Sequence, residues 1–478
     1  MVTGPLGPGP FSAVAVDLGS SSVKVLRADV AEDGAPRLVA AREVPHQPVR
    51  RGPYLEWDVV ETVLDVVAQE SRDALGGRVA VSLDGWGDGL VFLDRAGRRV
   101  GPVRCYRDPG LVAAAGVAHD RGYPGLVAER TGCTLGASST LVQLRAVLDE
   151  RPAWLRDVVR VVPLVDHLGD LLTRTTDGST PVGLSPLSTS GFVDPRTGHV
   201  DRELLDRLEL PARWVPDPCP ELRVAGRLDP DRLAPGAQGV LVKVAGHDTA
   251  TALGADPAAA PGRCFVSLGS WAVVGVVVDP ARRASAPFRT LAPVMHEAAA
   301  DGALRVNRNV PALRLVQQLE RERLGRPATA AERSALLPPP SAWDPGPVVD
   351  VLALDVHRPL SEQVEAWGRT AGRPTGDLAA VLHELLRGVA QAVARAVDDL
   401  EAAGLADRGR GLWVSGGGVR VPALTAWVAA LTGSPVERGP VAASAVGGVL
   451  GTASVVRPDG PDAAVTLDGW RRDGLLEH

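Results

Sequence analysis

The stretch VAVDLGSSSVKVLRADV, residues 14–30, decides how the rest of the chain is read. FSAVAV, which leads into Asp17, is a short β-branched apolar run without helical spacing, the pattern of a buried strand. VKVLRADV alternates apolar and polar residues and predicts a second strand. The link between them holds Gly19 and a row of serines, so a strand–loop–strand hairpin is expected. Its loop can offer backbone N–H groups, the hydroxyls of Ser20, Ser21 and Ser22, and the amine of Lys24 to an anion. Asp17 would stand beside that anion, an unfavourable pairing unless a cation lies between them. Mg²⁺ takes hard oxygen ligands, commonly one or two carboxylates with phosphate oxygens and waters. A Mg·nucleotide phosphate site is one reading of the stretch. An ordinary hairpin with a polar turn is the other.

At 478 residues the chain exceeds one ordinary core, and two or three domains are expected. The net charge of −6 and the lack of a Lys/Arg-rich block disfavour nucleic acid as a partner. Cys105, Cys133, Cys219 and Cys264 show no CxxC spacing, which fits a reducing cytoplasm and neither a zinc ribbon nor a disulfide framework. MVTGPLGPGP lacks the basic start and apolar core of a signal peptide. The longest apolar stretch, WAVVGVVV, is too short to span a bilayer. The expectation is a cytoplasmic protein with small-molecule partners, neither nucleic acid nor membrane.

Further along, EWDVVETVLDVVAQESRDAL has helical spacing, and RVAVSLDGWGDGLVFLDRAGRRV reads as strand, loop, strand and turn. A new unit is expected to start near GVLVKVAGHDTATALGA, with strand, sharp turn and helix. Residues 262–278, GRCFVSLGSWAVVGVVV, repeat the opening design: an apolar strand, a glycine with a hydroxyl, and a second strand. GLWVSGGGVRVPALTAWVAALTG reads as strand, glycine loop and helix. Two such hairpins, each opening an α/β unit, suggest duplicated lobes with a ligand between them. The expected domains are residues 11–235 and 236–456.

Taken in order, DLGSSSVK, EWD, LDGWG, YRD, GHDTA, SLGSW and SGGG resemble the FGGY carbohydrate kinases. LDGWGDGLVFLDRAGRRVGPVRCYRD and NVPALRLVQQL are most similar to the rhamnulokinase branch of that family. The resemblance runs from Val14 to about Ser454. It implies an α/β fold of two actin-like, ribonuclease H-like domains with an interdomain cleft. It also implies transfer of a phosphoryl group from MgATP to the 1-hydroxyl of L-rhamnulose or a related ketose.

By its place after a strand and a glycine turn, Asp248 could be a routine helix N-cap. By the resemblance it is the catalytic base, accepting the hydroxyl proton as phosphoryl transfer requires. The resemblance also implies that His247, Thr249, Trp86 and Gly87 hold the sugar and that Asp17 lies near Mg²⁺. Ser20, Ser21, Ser22, Lys24 and Ser270 would contact nucleotide phosphate. Asn309 and Gln317 would be polar positions on the nucleotide side, and Gly417 and Gly418 the adenosine loop.

The chain also departs from the pattern. Val23 stands where a glycine precedes the basic residue. The acid expected two places after Trp-Gly is displaced to Asp88, leaving Gly89. Val421 and Ala442 replace an amide and an acid at the adenosine end. These departures motivate two rivals: a kinase of another sugar or polyol, and a non-catalytic sugar- or nucleotide-binding pseudokinase. An actin-like ATPase is disfavoured, because a His-Asp-Thr set suits a polyol better than a water.

Overall fold

The hairpin expected over residues 14–30 is present in a computed structural model of the chain. The structure describes residues 6–7, 9–175, 181–256, 258–280, 294–337, 342–355 and 358–472. Strand β1 (Phe11–Leu18) pairs antiparallel with β2 (Ser22–Val30), and β3 (Pro36–Pro45) extends the meander. On its other side β1 lies parallel to β4 (Arg78–Gly85). With β5 (Arg223–Arg227) and β6 (Gln238–Lys243) the sheet order is β5-β6-β4-β1-β2-β3, with β6 parallel to β4. Every residue of β1 is buried, which explains its continuous apolar run: a strand covered on both faces does not alternate.

Helix α1 (Val60–Arg72) buries Val63, Leu64, Val66 and Val67, the spacing that predicted it. Helix α2 is Thr140–Glu150 and α3 is the short Asp248–Ala252.

A second hairpin, β7 (Cys264–Leu268) with β8 (Trp271–Val277), repeats the first. A tight turn closed by Ala299 N–H to Ala303 O joins β9 (Met295–Ala298) to β10 (Leu304–Pro311). Helix α4 (Leu313–Leu324) follows, then α5 (Leu378–Ala402). Strand β11 (Leu412–Ser415) lies parallel to β7, and beyond it β12 (Val436–Arg438) lies parallel to β11, with α6 (Pro422–Thr432) between them in the chain.

The described residues form two compact units. One comprises those within 6–259, 280–305 and 443–472, the other those within 260–279 and 306–442. This corrects the expected division at 235/236. Strand β6 and helix α3 belong to the first unit, because β6 hydrogen-bonds β4 from across the sequence. Helix α7 (Ala443–Val456) also returns to the first unit. Its glycines make the return possible. A Cβ on Gly447 would stand 1.9 Å from Thr251 O, and one on Gly448 would stand 2.8 Å from Ala15 Cβ.

Candidate active site

The parallel strands of the first unit end together, and their ends collect carboxylates. Asp17 on β1 stands in register with Asp84 on β4. One residue on, Gly85 N–H donates to Gly246 O at 3.1 Å, and Gly85 pairs with His247, which brings Asp248 to the same edge. Asp17 accepts from Ser444 Oγ at 2.7 Å and lies 3.3 Å from Lys24 Nζ, its cross-strand neighbour. Asp17's charge raises the pKa of Lys24 against the opposing effect of burial. Asp84 is buried, and no N–H or O–H of the described residues reaches either of its oxygens. Burial, then the charges of Asp17 and Asp248, push its pKa well up. Burial and the Asp17 charge raise Asp248 to about 7, while hydrogen bonds from Thr249 and the Lys24 charge restrain it. Asp248 Oδ1 accepts from Thr249 N at 2.5 Å and Thr249 Oγ1 at 3.1 Å, so the Thr249 hydroxyl serves the carboxylate.

His247 has its own buried support. Arg305 on β10 donates through Nη2 to His247 Nδ1 and to Glu297 Oε2, each at 2.9 Å, and through Nε to Ala298 O. Burial, and then Arg305, hold the imidazole well below its ordinary pKa. Glu221 braces the turn before His247 by accepting from Gly246 N at 2.7 Å and from Ser185 N and Oγ. Burial pushes Glu221 up to about 7.

The serine loop is fastened by its carbonyls. Gly19 O meets His46 Nε2 at 2.8 Å, Ser20 O accepts from Arg107 at 2.9 Å, and Ser21 O accepts from His46 N–H at 3.0 Å. Ser22 differs from its neighbours. It opens β2 and its hydroxyl bonds Glu43 on β3 at 2.5 Å. Beside the loop, Trp57 and Trp86 lie with ring centroids 4.4 Å apart, flanked by His46 and Tyr106, and Arg107 lies over the Trp57 and Tyr106 rings. Gly87 packs against Thr189, where a Cβ would not fit. Asp88 accepts from Thr140 N at 3.1 Å and Thr140 Oγ1 at 3.0 Å, so the displaced acid anchors the start of α2. Burial raises Asp88 to about 7 despite those bonds.

The remaining expected residues belong to the second unit. Ser270 turns β7 into β8, and its carbonyl accepts from Ala312 N and Arg314 N at the start of α4. Asn309 is exposed on β10 and Gln317 half-buried on α4. Gly418 is buried against Leu268, whose Cγ would lie 2.2 Å from an added Cβ; Gly417 is more open. Val421 is buried and precedes α6 without a side-chain cap. Arg438 donates to Thr425 Oγ1.

The family described as "FGGY family of carbohydrate kinases, C-terminal domain" matches residues 264–456. A rhamnulokinase of Pectobacterium carotovorum is 28% identical over 447 residues, 91% of this chain and 86% of that one. Residues 264–456 thus match the C-terminal domain of the FGGY carbohydrate kinases, and the chain as a whole is similar to a rhamnulokinase. A xylulose kinase from Rhodospirillum rubrum superposes with a TM-score of 0.70 at 18% identity, covering 95% of this chain and 92% of that one. Plasmodium falciparum glycerol kinase with ADP gives 0.71 at 12% identity, covering 98% and 93%. The fold is therefore the two-domain α/β, actin-like and ribonuclease H-like one that the resemblance implied.

The sequence reading of this chain passed over Asp84, Glu221, Glu297 and Arg305. Asp84 had a visible signal, an acid at the end of an apolar strand in LDGWG, the same pattern that marked Asp17. The other three carry none, since each meets its partner only through the fold.

Proposed function

We propose that the protein is an ATP-dependent sugar kinase that phosphorylates the 1-hydroxyl of L-rhamnulose or a related ketose, with Asp248 as general base. The observation that carries this reading is a carboxylate with a pKa near 7 at the end of parallel strands, beside a second acid and a lysine. A base with a pKa near the working pH combines a useful ionised fraction with a real appetite for the proton. Phosphoryl transfer asks little else of the protein beyond positioning and charge stabilisation.

The donor set fits MgATP. Asp17 offers the hard oxygen that Mg²⁺ prefers, Lys24 offers a cation, and the carbonyl-fastened loop of Ser20 and Ser21 offers amides and hydroxyls. When bound, Mg²⁺ offsets negative charge on the transferring phosphate. Among the described residues no group of three or more His, Cys, Asp or Glu is arranged to hold a metal ion. In the second unit, Ser270, Asn309, Gln317, Gly417 and Gly418 are assigned to the nucleotide. In the first, His247, Trp86 and Gly87 are assigned to the sugar. Thr249 supports Asp248, and Ser22 ties the loop to β3.

Asp88 is engaged by Thr140 and Gly89 has no side chain, so the test must reach beyond one sugar. An ADP-release screen over L-rhamnulose, other deoxyketoses, ketopentoses and polyols, with the product site read by ³¹P–¹H NMR, is that test. Selective phosphorylation of a ketose at the 1-hydroxyl is expected. Preference for a polyol, or sugar binding without turnover, would overturn the proposal.

A further inference from the structure

We infer that Arg305 and Glu297 are positioning residues that fix His247 as the neutral imidazole with its proton on Nε2, making the ring a permanent hydrogen-bond donor to an acceptor oxygen of the sugar. The inference rests on the acceptor-site reading above, but its first part concerns the protein alone.

A guanidinium has a fixed hydrogen-bonding character. It carries five N–H donors and no acceptor, and it stays charged in proteins. Arg305 Nη2 lies 2.9 Å from His247 Nδ1. Nδ1 must therefore present a lone pair, because a proton there would set two N–H groups head to head. Arg305 cannot turn away to water, since its side chain is 0% exposed and also bound to Ala298 O and Glu297.

A carboxylate that accepted from Nδ1–H would impose the opposite tautomer and favour the imidazolium. Glu297 is the only candidate on that side among the described ion pairs, and its Oε2 is 3.6 Å from Nδ1, beyond hydrogen-bond reach. It spends its charge on Arg305 instead, 2.9 Å away. The remaining ring nitrogen, Nε2, carries the proton and lies 3.4 Å from Asp248 Oδ1, on the side of the proposed base.

Two consequences follow for catalysis. A ring already protonated at Nε2 cannot take the hydroxyl proton there, so His247 does not compete with Asp248 as the base. The sugar oxygen that meets Nε2–H must accept, a demand met by a ketose carbonyl or by a hydroxyl lone pair.

The first test is ¹⁵N-histidine NMR on the ligand-free protein. The chain has 9 His, and the His247 signal is identified by its loss in His247→Gln. A lone-pair Nδ1 and a protonated Nε2 are expected. Arg305→Met should move the proton to Nδ1, where Glu297 can take it. An imidazolium, or an Nδ1–H ring in the wild type, would overturn the inference. If Arg305→Met does not fold, the wild-type spectrum and a kinetic pair still decide. In that pair, the amide nitrogen of His247→Gln takes the place of Nε2, whereas that of His247→Asn reaches only the place of Nδ1. The Asn variant should show a sugar KM about 10–100-fold above that of the Gln variant, as expected for losing a buried hydrogen bond. Equal kinetics in the two would overturn the donor role. A wild type that phosphorylates no sugar would remove the acceptor-site reading instead, while the spectrum still tests the tautomer.

Discussion

The hairpins β1–β2 and β7–β8 share one plan and end in different chemistry. In each, the first strand pairs antiparallel with its successor and parallel with a later strand. Two residues before the hairpin glycine, the first unit sets Asp17 opposite Asp84, while the second sets Ser267 opposite Ser415. The backbone positions correspond, and carboxylates have been exchanged for hydroxyls. Acids gathered at one strand edge repel one another and attract a cation. Hydroxyls do neither, and can donate to a phosphate or a nucleoside without repelling it. Topology thus fixes where a ligand meets the sheet, and a pair of side chains decides whether that place carries charge.

The largest effect should come from removing the proposed base at the charged edge. Asp248→Asn is expected to lower kcat by about 10²–10⁴ while calorimetry finds sugar affinity near that of the wild type. Near-full turnover would break the claim that chemistry resides at the charged edge of the first unit. A paired substitution sharpens the comparison further. Asp17→Asn should reduce kcat/KM for MgATP by about 10²-fold or more, as loss of a preorganised electrostatic contact does. Ser267→Ala, at the matching place in the second unit, should change it by less than about tenfold. Equal losses would mean that the two edges are functionally alike.

The pH dependence is the next effect in size. Asp248 must be ionised to accept a proton and titrates near 7. The kcat/KM for sugar should therefore rise with pH up to about 7, falling about tenfold per unit below that limb. Asp17→Asn removes a like charge and should move the limb to lower pH. A limb that stays put would show that Asp17 does not act on Asp248.

The smallest effect expected is on stability. Asp88 has its folded pKa raised from 3.8 to about 7, so the native state holds a proton that the unfolded chain has released. Its contribution is present below about pH 4 and is lost as pH rises through 7. Asp88→Asn keeps an acceptor for Thr140 without that loss. Between pH 5 and 7.5 the wild-type Tm should fall relative to the variant by on the order of a few degrees. Parallel curves would show that Asp88 is ionised in the fold.

The fold was legible where its signal was local. FSAVAV, Gly19 and VKVLRADV announced the hairpin because burial and turn chemistry act within a few residues. The repeat at Gly269 was legible for the same reason. The domain boundary was not. GVLVKVAGHDTA looks like the opening of a unit, yet β6 pairs with β4, a partner that only strand register can name. The candidate site divides along the same line. Asp17, His247 and Asp248 sit in motifs, and Asp84 could have been found by analogy with Asp17. Arg305 is 58 residues from His247, and one buried arginine among many carries no mark of the ring it holds. Ser22 and Asp88 were visible, but their partners Glu43 and Thr140 were not, and the partner decides what each side chain does.

The bond from Ser444 to Asp17 joins residues 427 positions apart. At about 5–20 residues per second, ribosomal synthesis needs on the order of 20–90 s to supply the second partner after the first. During that interval the opening hairpin exists without α7, the helix that packs against β1. The first unit is thus begun early and closed late, and its strands stay exposed to misassociation while the second unit is being made. A nonsense codon just before Ala443 would leave Asp17, Asp84 and Asp248 all encoded, and would bare the sheet that carries the first two.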